Sequence, residues 1–303
     1  MDTDLDTLVT ALYVTVDDLL RAHPEQVPER REGTFAPQIS DAELVCLAVM
    51  QALLGYHSET RWLRRAHKDF HLMFPHLPHQ SGYNKRLRKL AGTMGWLVGQ
   101  LARLTQVFDD NVWLVDSTPI ECARSVDTVK RSDLSGWAEY GYCASHSRWF
   151  WGLRLHLVTT IHGLPVAWAL TGAKADERQV LAAMLPLLPP TGQGRVQTLL
   201  ADKGYRDRAL EADLASHHIC MIRPAYHNEP PRPGHEFLRP LRQTIESVFD
   251  SFKDQLDLEH HGGHTRQGVL TRIAQRVLAL TAAIWNNDRQ DLRPLRSLIA
   301  YDH

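Results

Sequence analysis

The chain has 303 residues, 34 Lys+Arg against 35 Asp+Glu, 44% hydrophobic and 23% charged residues, a composition that excludes disordered and fibrous classes and suits one large or two modest domains. The longest apolar stretch, Leu44–Gly55, is interrupted by Gln51 and too short to span a bilayer, so no membrane partner is expected. Five acids and no Lys or Arg in the first eighteen residues are the reverse of a leader peptide, and Cys46, Cys122, Cys143 and Cys220 lie far apart with no Cys-x-x-Cys pair, which points to a cytoplasmic chain with reduced thiols.

Residues 1 to about 105 read as helical. Leu5, Leu8, Val9, Leu12 and Val16 recur at helical spacing, and Ser40 with Glu43 forms a capping box ahead of the apolar run Leu44–Leu54. A formal charge of −1 argues against a nucleic-acid partner unless the basic residues are segregated. They are: Arg61, Arg64, Arg65, Lys68, Lys85, Arg86, Arg88 and Lys89 face a single acid, Asp69, across that stretch. A DNA-binding surface, in the manner of a helix-turn-helix, and a merely solvated charged face are about equally consistent with this pattern.

Near residue 110 the period changes. Val112–Val115 is a short apolar run ending at Asp116, as a buried strand would. Trp149–Ile161 alternates, with Trp151, Leu153, Leu155 and Leu157 on one side and Arg154 and His156 on the other, and His162-Gly163 turns it into Leu164–Leu170. His156 reads as a satisfied sheet histidine, and Trp149, Phe150 and Trp151 as core or interface. Asp176-x-x-Gln179 starts a helix, Val196–Ala201 is a second buried run stopping at Asp202, and Ile219–Ile222 is a further strand. Beyond the Pro-rich loop Pro230–Pro233, helices are expected over about 238–258 and 267–286. This order predicts a mixed α/β sheet with helices on its faces.

Asp116 and Asp202 each end an apolar run, where ligands of open α/β sheets gather. Each alone is explained by a turn cap; together, on neighbouring strands, they would share a crevice and call for a divalent cation, Mg²⁺ or Mn²⁺. On the long helix, Leu241, Ile245, Val248, Phe249, Phe252 and Leu256 form an apolar stripe, with Arg242, Glu246 and Lys253 along its edge. Glu246 is read either as a third metal ligand or as one half of an i,i+4 pair with Arg242. Glu259, His260, His261 and His264 lack a matched second ligand cluster and read as a polar interhelix turn rather than a zinc site.

Val115-Asp116-Ser117-Thr118-Pro119, Ala201-Asp202-Lys203-Gly204-Tyr205 and Arg242-x3-Glu246-x6-Lys253 together resemble the DDE transposases of bacterial insertion sequences, with Arg239 where the Tyr-x2-Arg-x3-Glu-x6-Lys signature has tyrosine. Gly141–Ser145, Trp151–His156 and Ser81-x-Tyr83-Asn84-x-Arg86 add to a likeness that covers roughly residues 35 to 285, with His146 and Arg154 where lysine is more usual.

The resemblance implies an RNase H-like catalytic domain over 106–290, behind a helical DNA-binding domain over 1–105 and ahead of a tail over 291–303. It implies Asp116, Asp202 and Glu246 as catalytic residues holding two divalent ions, Mg²⁺ or Mn²⁺. Arg242, Lys253, Lys203 and Arg154 are expected at DNA phosphates, and Arg64, Arg65, Lys85 and Arg86 at terminal-repeat DNA. The partners implied are double-stranded transposon ends, target DNA and a second copy of the chain. A nuclease without strand transfer and a non-catalytic DNA-binding descendant are the alternatives.

Overall fold

The computed structural model describes residues 3–29, 37–143, 147–190, 196–227, 229–230, 234 and 238–301. Ala144, Ser145 and His146 and most of the Pro-rich loop lie outside these residues, and the side chain of Arg239 is likewise not described. The chain forms two compact units, one of Met1–Leu101 with Ser251–His303 and one of Ala102–Asp250.

The first unit is helical: α1 (Thr3–Ala22), α2 (Asp41–Leu53), α3 (Glu59–Asp69), α4 (Gln80–Lys89), α5 (Ala91–Arg103, its last two residues in the second unit) and α10 (Arg266–Arg289). The capping box is formed, with Ser40 Oγ accepting from the Glu43 amide at 3.1 Å and Glu43 Oε2 accepting from the Ser40 amide at 2.6 Å. Expected to lie in the catalytic domain, α10 instead packs on α2 and α1. The physical reason is its burial on every side: from Val269 to Asp288 only Leu270 escapes full burial, and a helix buried all round needs helices around it rather than one sheet face.

A buried polar network fixes this packing. Glu59 accepts from Arg272 Nη2, from Gln80 Nε2 at 2.6 Å and from Asn84 Nδ2 at 2.8 Å. Gln51 Oε1 accepts from Tyr83 Oη at 3.0 Å and Gln275 Nε2 at 3.2 Å. Tyr83 and Asn84, part of a motif that adds to the family resemblance, are thus joints between α2, α3, α4 and α10.

The second unit holds a six-stranded mixed sheet: β1 (Val112–Ala123), β2 (Glu139–Cys143), β3 (Arg148–Thr160), β4 (Pro165–Gly172), β5 (Gln197–Leu200) and β6 (Ile219–Ile222). The strands run β4-β3-β1-β5-β6, antiparallel among the first three and parallel from β1 onward. The short β2 takes Arg148–Gly152 of β3 and β4 takes Leu153–Thr159 along the same edge. Gly163, at φ +84°, makes the tight turn from β3 to β4 that a side chain would strain.

Helices α7 (Glu177–Met184) and α8 (Arg208–Ser216) cover one face through Val180, Leu181, Met184, Leu210 and Leu214, packed against Val115, Val158 and Leu199. Helix α9 (Leu238–Asp250) packs on β1, burying Ile245, Val248 and Phe249. This is the mixed α/β sheet flanked by helices, preceded by an all-α N-terminal segment, expected from the sequence. Among the described residues no helix is long and apolar enough to cross a membrane.

Candidate active site

Asp116 does not end its strand, contrary to expectation. β1 runs on to Ala123, because Asp116 and the residues after it still pair with β3 (Asp116 with Leu157, Thr118 with Leu155). What ends near Asp116 is the parallel pairing to β5, whose last rung is Leu114–Leu200. Carrying that register forward brings Asp116 level with Asp202, so the two carboxylates flank the gap that opens where β5 leaves β1. The Ser117 amide donates to Asp116 Oδ1 at 2.8 Å, and the Gly204 amide to Asp202 Oδ1 at 2.6 Å. Each carboxylate therefore caps its own backbone through one oxygen.

Burial pushes the Asp116 carboxyl up to about 7, with the Asp202 and Glu177 carboxylates adding to the rise and Arg242 opposing it. A cleft of about 30 Å³, room for roughly one water-sized ligand, lies among Asp116, Asp202, Pro224, Leu238, Arg242 and Ile245. Arg242 is the cation that α9 brings to the pair. Glu246, one turn on, does not line this cleft; its Oε1 lies 3.4 Å from Arg242 Nε in an exposed ion pair.

Lys253 lies in a π turn, Ser251–Gln255, where the Leu256 amide donates to the Ser251 carbonyl at 3.0 Å. That turn breaks the α-helical phase on which its shared edge with Glu246 rested, and it belongs to the first unit. Lys203 is exposed at the first position of the 3₁₀ turn Lys203–Tyr205.

Arg154, expected at phosphate, is occupied. Its Nη1 donates to Ser117 Oγ at 2.9 Å and Glu177 Oε1 at 3.2 Å, and its Nη2 to the Tyr142 carbonyl at 3.1 Å. Ser117 Oγ in turn donates to Glu177 Oε1 at 2.5 Å. Tyr205 is fully buried, its hydroxyl has no hydrogen-bond partner among the described residues, and its proton is held firmly by burial and by the fields of Glu177, Asp116 and Asp202. Sequence reasoning passed over Glu177 and Tyr205: the only signal was an acid at the start of a predicted helix and an aromatic three residues after Asp202.

His156 is buried with Nε2 2.9 Å from Thr171 Oγ1, and burial followed by the Arg154 charge lowers its pKa to about 4, leaving it neutral. Phe150 and Trp151 are buried, but Trp149 is 71% exposed, tilted against Tyr142 with ring centroids 5.4 Å apart rather than in a core.

In the N-terminal unit, Arg64, Arg65 and Lys85 are exposed, although Arg65 pairs with Asp69 at 2.6 Å. Arg86 is held inside by Asp41 at 2.5 Å and the Ile39 carbonyl at 2.8 Å. The stretch between α3 and α4, residues 70–79, is longer than the three- or four-residue turn of a helix-turn-helix. His57 and His260 both bond Asp257, at 3.0 and 2.6 Å, and buried His261 Nδ1 accepts from the Gly263 amide at 3.0 Å.

Among the described residues, no group of three or more His, Cys, Asp or Glu is arranged to hold a metal ion. The chemistry of the pair nonetheless fits a hard divalent cation: two half-buried carboxylates line one cleft, and Mg²⁺ commonly takes only one or two protein carboxylates.

The model of the transposase DDE domain matches residues 108–282. No curated protein matches the chain. Among solved structures, the crystal structure of a pre-cleavage Mos1 transpososome aligns over 96% of this chain and 97% of that one at 14% identity and a TM-score of 0.25, a likeness too distant to bear on the fold.

Proposed function

The chain belongs to the transposase DDE-domain family, and from that premise we propose that it binds the ends of an insertion sequence and catalyses metal-dependent cleavage and strand transfer of DNA. The observation that carries the proposal is that Asp116 and Asp202 line one cleft just beyond the last β1–β5 rung, with Arg242 beside them.

In this reading Asp116 and Asp202 would hold the metal, their Ser117 and Gly204 amide bonds fixing both rotamers. Two divalent ions there would activate the attacking oxygen and stabilise the leaving oxygen at phosphorus. Arg242, in the same cleft, holds a phosphate oxygen of the scissile strand, and Lys203 contacts a neighbouring phosphate. Glu246, now paired with Arg242, would be the third residue to hold the metal when phosphate takes up that guanidinium. Because that pair is exposed it is worth at most about 1 kcal/mol, and a phosphate contact outweighs it.

Arg64, Arg65 and Lys85 supply the exposed charge for end binding, with Lys253 as a further phosphate contact. Two ends brought together call for two copies of the chain.

The test is incubation with Mg²⁺ and labelled duplexes spanning the ends of the element, reading nicked and joined products. Asp116→Ala, Asp202→Ala and Glu246→Ala are each expected to abolish both products while leaving end binding intact. Nicks without joined strands identify a nuclease, and binding without nicks a non-catalytic protein.

A further inference from the structure

Ser117 joins the carboxylate of Asp116 to that of Glu177. Its amide donates to Asp116 Oδ1 at 2.8 Å, and its hydroxyl lies 2.5 Å from Glu177 Oε1. A hydroxyl has one proton, and Arg154 Nη1, at 2.9 Å, already donates to the Ser117 oxygen, so the proton is directed at Glu177. Arg154 is itself fixed by Glu177 and the Tyr142 carbonyl. The serine beside Asp116 is thereby held from two sides, and with it the amide that sets the Asp116 rotamer.

On the other side stands Tyr205, fully buried, its hydroxyl with no hydrogen-bond partner among the described residues. A buried donor left unmade costs roughly 1–3 kcal/mol.

We propose that Glu177 is a positioning residue of this site: through Ser117 it fixes Asp116 and so tightens divalent-cation binding at the Asp116–Asp202 pair. The proposal rests on the metal reading above. It differs from a plain Arg154–Glu177 salt bridge, which would support folding and leave cation affinity alone.

The measurement is isothermal titration of the full chain with Mn²⁺ alone, with melting temperature recorded for each variant. Glu177→Gln and Ser117→Ala are each expected to weaken Mn²⁺ binding about tenfold, the usual effect of losing an outer-shell partner of a metal ligand. The double variant should be no weaker than either single one, since both act along one path. Ser117→Ala leaves the Arg154–Glu177 pair in place, so it reports on the link even if Glu177→Gln folds poorly. Wild-type affinity in Ser117→Ala, with binding lost in Asp116→Asn, overturns the role of Glu177 and leaves the metal site standing. Wild-type affinity in Asp116→Asn overturns the metal reading and this proposal with it.

Discussion

Arg242 and Glu246 form one ion pair on the exposed edge of α9, Nε to Oε1 at 3.4 Å, with the arginine turned toward the Asp116–Asp202 cleft and the glutamate outside it. With both side chains about half exposed, the pair is worth well under about 1 kcal/mol. Arg242→Gln should therefore shift the melting temperature by no more than roughly 2 °C. The same variant should weaken binding to duplex ends and lower the salt dependence of that binding by about one phosphate contact. Thermal denaturation and binding titrations across a salt series check both.

The pH dependence of the metal-free protein follows from Asp116. Its folded pKa of about 7 lies above the ordinary value of 3.8, so between those limits the folded chain keeps a proton that the unfolded chain has released. Stability from this group is full below the lower value and is lost as pH rises through the upper one. A tenfold difference in acidity between the folded and unfolded chain corresponds to about 1.4 kcal/mol, and each kcal/mol to roughly 2–4 °C for a domain of this size. Asp116→Asn should then melt several degrees above wild type at alkaline pH in a chelator, and level with it in acid. Calorimetry at the two extremes decides it.

The basic stretch of the N-terminal unit divides into two kinds of residue. Arg86 bonds Asp41 and the Ile39 carbonyl, so Arg86→Ala should cost about 1–3 kcal/mol of stability through the unpaired groups it leaves. Arg64→Glu and Lys85→Glu, both at exposed positions, should leave melting unchanged and weaken DNA binding at low salt. Chemical denaturation beside binding assays separates the two behaviours.

Glu59 and Arg272 are the charged centre of the buried network between α3 and α10. Removing one partner strands the other charge, so Arg272→Met should destabilise the chain by about 3–5 kcal/mol, while Glu59→Leu combined with Arg272→Met should recover much of that loss. Urea denaturation of the single and double variants measures it.

The pattern of what could be read from the sequence has physical causes. Asp202 was legible because the apolar run before it ends where β5 ends. At Asp116 the same signal marked something else: the run stops where β1 loses its β5 neighbour, while the strand continues against β3 alone. An apolar run reports burial on both faces, not strand length. Glu246 and Lys253 were placed by a constant helical phase, which the π turn at Ser251–Gln255 interrupts. Trp149 read as core or interface, and it is not core: it sits exposed on the outer stretch of β3 beside β2. Glu177 left only the faint mark of an acid at a helix start, because its contact with Ser117 spans sixty residues and exists only once α7 packs on the sheet.

The most direct test of the account is the single-turnover nicking rate, with Mg²⁺ and duplexes carrying the element ends, of wild type, Asp116→Asn, Asp202→Asn and the double variant. If both side chains grip the same ions, each single change drops the rate to background and the double change lowers it no further. A near-wild-type rate in either single variant, or losses that multiply in the double, would contradict it.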